Sequence, residues 1–154
     1  MSGMIRRRVP PGRGDLQAAL EHVAGPDGAL VFVADPAIGE DWAAVLAEFR
    51  EAFDLTRAAL GAGAPVVYVV DQRDLLGQRS PAAAMAATGL LSGARSAAFE
   101  MRKAGVPVNV VATEETSPPE AVAAWVERLL APGPGGPTGE LVRLGGDHLG
   151  KALP

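Results

Sequence analysis

Asp71, Arg73 and Asp74 follow a run of apolar residues that reads as a strand. Two carboxylates and a guanidinium at a strand end have the groups for proton transfer, and open parallel sheets bind ligands at such C-terminal ends. Glu114 and Glu115 stand at the corresponding end of a later apolar run. Both groups read more simply as turn-forming, solvated charge, and acidic loops in both places disfavour an anionic ligand. A second candidate is the turn Pro10-Pro11-Gly12-Arg13-Gly14, between a possible strand and a helix. Gly12, Arg13 and Gly14 could hold a phosphate at a helix start, although turns of this composition are common. His22 and His148 are the only histidines and have no nearby carboxylates at metal-ligand spacing, so no metal site is expected. Tyr68, the single tyrosine, falls inside a buried strand and reads as a core or interface residue rather than a catalytic one. Trp125 reads as a packing residue on the last helix. The absence of cysteine excludes disulfides, thiolate nucleophiles and cysteine-held metal clusters.

The elements that must position these residues follow from periodicity and caps. Met4 to Val9 reads as a short strand or an arm. A helix follows to Val23, with Asp15 as its cap and Leu16, Leu20 and Val23 on one face. Ala29 to Ala34, Pro65 to Val70 and Val106 to Ala112 are continuous apolar runs, the pattern of strands buried on both faces. Long helices are expected from Asp41 to about Leu60 and from Pro81 to Ala104. The second has Ser80 as cap, proline at its first position and Gly105 after its end. Pro118 to Leu130 reads as a helix capped by Ser117, and Glu140 to Leu144 as a last strand. Residues 145–154 read as a surface tail. Buried strands alternating with helices predict one Rossmann-like three-layer α/β/α domain over 1–154, with a mostly parallel sheet of four or five strands.

The chain has 154 residues, enough for one domain with a sizeable core, and is 48% hydrophobic with a net charge of −4. The run Arg6, Arg7 and Arg8 is too short to suggest a nucleic-acid surface. The start lacks a signal peptide's apolar core, and the least charged stretch, Ser80 to Ala94, is short for a membrane span. A soluble, cytoplasmic protein is the expectation. The two long helices are unusually apolar. Trp42, Leu46, Phe49 and Phe53 spread wider than one stripe on the first. On the second, positions 81–94 carry no charge, and Met85, Leu90, Leu91 and Phe99 are its larger apolar residues. A helix apolar all round is buried all round, so one face covers the sheet and another is expected to meet a partner.

Several local matches, in order, carry a family resemblance. Ala29 to Asp35 stands where that family has a strand ending in Asn-Asn-Ala-Gly. Phe53-Asp54-Leu55-Thr56-Arg57-Ala58-Ala59-Leu60 looks like the end of its next helix, and Val66 to Val70 like its next strand. Arg95 to Glu100, then Gly105 to Ala112, is similar to the junction "RSLALE…GIRVNAVA", and Pro137 to Gly146 to the ending "TGQ…VDGG". Over about residues 27–146 the chain thus resembles the C-terminal half of the short-chain dehydrogenase/reductase family, in ketoacyl-reductase-like form.

The departures bear on function. Aligned on Arg95, Glu100, Gly105 and Asn109, the family's Tyr-x-x-x-Lys falls on Ala83 and Ala87, and its serine near Asp71. In the family the tyrosine moves the proton, the lysine lowers its pKa and holds the nicotinamide ribose, and the serine polarises the carbonyl. Alanine does none of this, and a carboxylate would repel a developing oxyanion. The helix asparagine of the family's proton relay falls near Glu48, and the glycine-rich phosphate loop is absent. The resemblance therefore implies a catalytically inactive subunit without a cofactor of its own, NAD(P) entering only through a partner. That partner is a second copy or an active short-chain reductase, met through the helices at 41–60 and 81–104, which the family uses for a four-helix dimer interface. Trp42, Leu46, Phe49, Phe53, Met85, Leu90, Leu91 and Phe99 are the expected contacts. Two other readings remain open: an enzyme in its own right, either a divergent NAD(P)-dependent ketone or 3-oxoacyl reductase or a chemistry reusing Asp71, Arg73 and Asp74, and a small-ligand-binding module.

Overall fold

A computed structural model describes residues 3–145. Most of the expected tail, His148 included, lies outside the described residues. Five strands form one sheet in the order β1 (Arg6–Arg8), β2 (Leu30–Val33), β3 (Val66–Asp71), β4 (Val108–Thr113) and β5 (Leu141–Arg143), all parallel. The stretch at Met4 to Val9 therefore contains a strand, Arg6–Arg8, and it covers the edge that β2 would otherwise expose. The Arg6 amide donates to the Ala29 carbonyl at 2.8 Å. On its outer side the Arg7 guanidinium donates to the Ile5 carbonyl and to the carbonyls of Leu20 and Val23.

Helices α2 (Trp42–Gly61) and α4 (Pro81–Met101) cover one face of the sheet, with α3 (Gln72–Leu75) between them in sequence. Helices α1 (Gly14–Leu20) and α5 (Pro119–Leu130) cover the other. Alternation along the strands feeds both layers. Leu30, Phe32, Val66, Tyr68, Val70, Val108 and Val110 pack with α2 and α4. Val31, Val33, Val67, Val69 and Val111 pack with Leu16, Leu20, Val122, Val126 and Leu129. The inner side of α4 is alanine at 83, 87, 94 and 98, which lets that helix lie close on the sheet.

The connections break a common rule. All four step the same way along a parallel sheet, yet α1 and α5 lie on one face and α2 and α4 on the other. The four crossovers cannot share a hand, although nearly all such connections are right-handed.

Caps follow the sequence in part. Ser80 accepts from the Ala83 amide at 3.1 Å, and Gly105 takes the left-handed conformation at φ 68° that ends the helical segment. Asp15 does not cap α1. It lies in the first turn and pairs with Arg13, which occupies the cap position. Ser117 does not cap α5 either: its hydroxyl accepts from the Glu114 amide and donates to the Leu144 carbonyl, tying the ends of β4 and β5 together.

Candidate functional site

At the end of β3, Asp71 accepts from the Arg73 amide at 2.8 Å and caps the short helix α3. The Arg73 guanidinium returns to both Asp71 carboxylate oxygens, at 3.3 and 3.0 Å, and reaches Glu115 across the loop after β4. Burial pulls the Asp71 carboxyl up, but the hydrogen bonds and charge of Arg73, helped by Arg79, outweigh it and hold the group below the usual carboxylate range. Asp74 is buried and gripped by Arg79, whose Nε donates at 2.6 Å and whose Nη1 donates to the Pro36 carbonyl. Gln72 donates to Glu114 at 2.9 Å.

The structure thus brings Asp71, Arg73 and Asp74 together with Arg79, Gln72, Glu114 and Glu115. These side chains bond to one another and stitch the loops after β2, β3 and β4. A base held below its ordinary pKa by a bidentate arginine is a poor proton acceptor near neutrality, and the charges in the cluster leave an excess of carboxylates. Ala83 and Ala87 lie one turn apart on the buried side of α4. Among the described residues no group of three or more His, Asp or Glu side chains is placed to hold a metal ion.

Gly12, Arg13 and Gly14 do stand between β1 and a helix, but the turn lacks the left-handed glycines that mark a tight phosphate loop. Gly12 is not at a positive φ, and neither is Gly14, at φ −58°. A Cβ on Gly12 would meet only Pro36 at 3.6 Å, and one on Gly14 would meet nothing within 4 Å. Neither the backbone conformation nor a protein neighbour requires glycine at these two positions. The Arg13 guanidinium is engaged by Asp15 at 3.1 and 3.2 Å.

A feature the sequence reading missed lies at the ends of β1 and β2. Arg8 donates to Glu48 at 3.1 and 2.6 Å, to Glu51 at 3.0 Å and to the Val33 carbonyl at 2.8 Å, with its guanidinium over the Phe32 ring. Glu48 also accepts from the Asp35 amide. Glu48 is thus bound into an ion pair that holds the edge strand to α2. Burial works against the Arg8 cation, but Glu48 and Glu51 outweigh it and raise its pKa. Arg79 and Arg8 pair with residues 5 to 43 positions away, and no local pattern announces them.

The outer face of α2 and α4 is a further candidate region. Among the described residues, five of the six exposed large apolar side chains lie on these two helices: Trp42 at 54%, Leu46 at 49%, Phe53 at 59%, Met85 at 48% and Phe99 at 66%. Phe49 is half-buried, its ring lying where a Cβ on Gly89 would come within 2.5 Å. Leu90 departs from the expected contact set: it is buried in the core, and Leu91 is half-buried against it. The helix turns those two positions inward, where bulky apolar side chains fill the gap between alanines. A groove of about 400 Å³ runs between the helices, with Phe49, Phe53, Gly93 and Ser96 on its walls and Tyr68 in its floor. The Tyr68 hydroxyl is hydrogen-bonded to Thr56. Burial raises its pKa, an effect Thr56 partly offsets. Tyr68 is core, as its strand position suggested. No helix of the described residues is long and apolar enough to cross a membrane.

No family model and no curated protein matches the sequence. Solved structures do match. A 4-hydroxyisoleucine dehydrogenase complexed with NADH and succinate superposes with a TM-score of 0.66 at 16% identity, covering 83% of this chain and 70% of its own. A short-chain dehydrogenase from Mycobacterium smegmatis gives 0.63 at 21%, covering 86% and 67%. A 3-hydroxyacyl-CoA dehydrogenase type-2 from Mycobacterium avium gives 0.60 at 17%, covering 75% and 65%. The chain spans about two thirds of the length of these proteins. The arrangement of its strands and helices is the fold of the short-chain dehydrogenases and reductases.

Proposed function

We propose that this chain is a non-catalytic subunit with a short-chain-dehydrogenase fold, which associates through the outer face of α2 and α4 and binds no dinucleotide of its own. The observation that carries the reading is the pairing of that exposed apolar face with a sheet end closed by its own ion pairs. Alanine at 83 and 87 and the arginine-bound Asp71 support the absence of acid–base chemistry. The ordinary backbone of Gly12 and Gly14 supports the absence of a phosphate site. The partner is a second copy or an active short-chain reductase, which then carries the cofactor and any redox step. The role of this chain is to bury an apolar face and so stabilise or regulate the assembly.

The test is purification of the tagged chain from its own cells, with native mass recorded and co-purifying proteins identified. Thermal unfolding of the chain purified free of other proteins is then followed with and without NADH and NADPH. The expected result is an assembly larger than one chain, broken by Leu46→Glu, and no shift with dinucleotide. Ligand at about a hundred times its Kd stabilises by roughly 2.7 kcal/mol. A rise in Tm of several degrees, or a mass that Leu46→Glu leaves unchanged, overturns the proposal.

A further inference from the structure

Going beyond that reading, we propose that the groove between α2 and α4 binds a small neutral molecule, an apolar ring that carries one acceptor oxygen such as a ketone. The groove, of about 400 Å³, has the size of a small-ligand pocket. Its walls are apolar, with Phe49 and Phe53 on the α2 side and Leu90 and Ala97 on the α4 side. Aromatic walls suit a flat apolar body. Two glycines of α4 make the room. A Cβ on Gly89 would fall on the Phe49 ring, and one on Gly93 would meet nothing within 4 Å and so would stand in the groove.

The floor supplies the polar contact. Thr56 and Tyr68 both line the groove, are 8% and 4% exposed, and share one hydrogen bond. Two hydroxyls carry two protons. Whichever group donates, that bond uses one proton, and the other has no acceptor among the described residues. The Tyr68 ring is held edge-on to Phe32, with centroids 6.0 Å apart, which fixes where the hydroxyl stands. A buried donor left without an acceptor is costly. An oxygen seated over the floor takes the spare proton without breaking the hydroxyl pair, and one that displaces water there keeps the bond. The charges select a neutral oxygen. No cation lies in the floor to match a carboxylate, and an unpaired buried carboxylate costs far more than a carbonyl. At the rim Arg57 and Glu100 are exposed and opposite in charge, so the mouth favours no ion of either sign.

The test is equilibrium dialysis with acetylnaphthalene, and with ethylnaphthalene, which has the same shape without the oxygen. All variants carry Leu46→Glu, an exposed position outside the groove lining, so that no associated chain covers the mouth. The expected result is saturable uptake of one acetylnaphthalene per chain. Thr56→Val with Tyr68→Phe replaces both hydroxyls by groups of the same shape, a change nearly neutral for folding. It is expected to lower the preference for the ketone over the hydrocarbon about tenfold, with ethylnaphthalene binding unchanged. Gly93→Leu favours the helix and is expected to abolish uptake of both probes. Circular dichroism checks that each variant folds. No saturable uptake of acetylnaphthalene at concentrations up to about 1 mM overturns the site. So does uptake that Gly93→Leu leaves intact, or a ketone preference that the double hydroxyl variant keeps. Each of these leaves the subunit reading standing. A native mass that Leu46→Glu does not change overturns the subunit reading and leaves this site untouched.

Discussion

Replacing Arg8 by methionine tests how the edge strand is held. Glu48 has only 4% of its side chain exposed, and both its oxygens accept from Arg8. Without the guanidinium, the Asp35 amide is the only hydrogen-bond donor shown to remain on that carboxylate. Breaking a buried ion pair from one side costs roughly 3–5 kcal/mol. The Arg8 side chain is 18% exposed, so water reaches the gap, and the low end, about 3 kcal/mol, is the expectation. Loss of the stack on Phe32 adds about 0.5–1 kcal/mol. Against a total stability of roughly 5–15 kcal/mol this is a large fraction. Glu48→Met alone costs less, about 1–2 kcal/mol, because Arg8 keeps Glu51, the Val33 carbonyl and access to water. The double variant, with two methionines in place of the pair, is expected to lose about 0–2 kcal/mol. Urea unfolding of the four proteins at pH 7 gives the cycle, provided the slopes agree. An Arg8→Met loss below about 1 kcal/mol, or single effects that add to within about 0.5 kcal/mol, would refute a buried tie between β1 and α2.

Two further outcomes follow from the strand ends. Asp71 titrates lower in the folded chain than the ordinary carboxylate value of 3.8, so its stabilisation is present above that value and lost as pH falls through the folded pKa. Asn keeps the helix cap but not the charge, and Arg73 is 40% exposed. Asp71→Asn is therefore expected to cost about 1 kcal/mol at pH 7, with the difference shrinking below about pH 4. Unfolding midpoints across that range check it, and a gap independent of pH counts against the ion pair. Asn109 is fully buried, donates to the Pro137 carbonyl at 2.9 Å and accepts from the Glu140 amide at 3.1 Å. Asn109→Leu leaves both backbone groups without their partner and is expected to cost roughly 2–4 kcal/mol. A loss under about 1 kcal/mol in denaturant unfolding would show that the segment leading into β5 is held otherwise.

Much of the fold was legible because burial on both faces leaves an unbroken apolar run. β2, β3 and β4 are such runs, and Ser80, Pro81 and Gly105 mark the ends of the helical segment between β3 and β4 through local backbone chemistry. The absence of any tyrosine or lysine between Tyr68 and Lys103 is likewise a property of composition, which no arrangement in space alters. The candidate site was legible only in part. The sequence placed Asp71, Arg73 and Asp74 at a strand end, but not the pairing of Arg73 with Asp71 nor the hold of Arg79 on Asp74.

What tertiary structure decided has a common cause. Periodicity tells which side of a helix is buried, not which layer buries it, so the placement of α1 beside α5, against the usual hand, is set by packing. Position 90 looks like position 85 in a run of alanines, and only the rotation of α4 on the sheet turns Leu90 inward and Met85 outward. Arg8 and Glu48 are 40 residues apart, and their pairing exists because β1 lies beside β2 under α2. Sequence therefore determined the elements and the absence of tyrosine and lysine from the stretch after β3, through local and compositional physics. Tertiary structure determined the charge partners and the free face, because both depend on which distant surfaces meet.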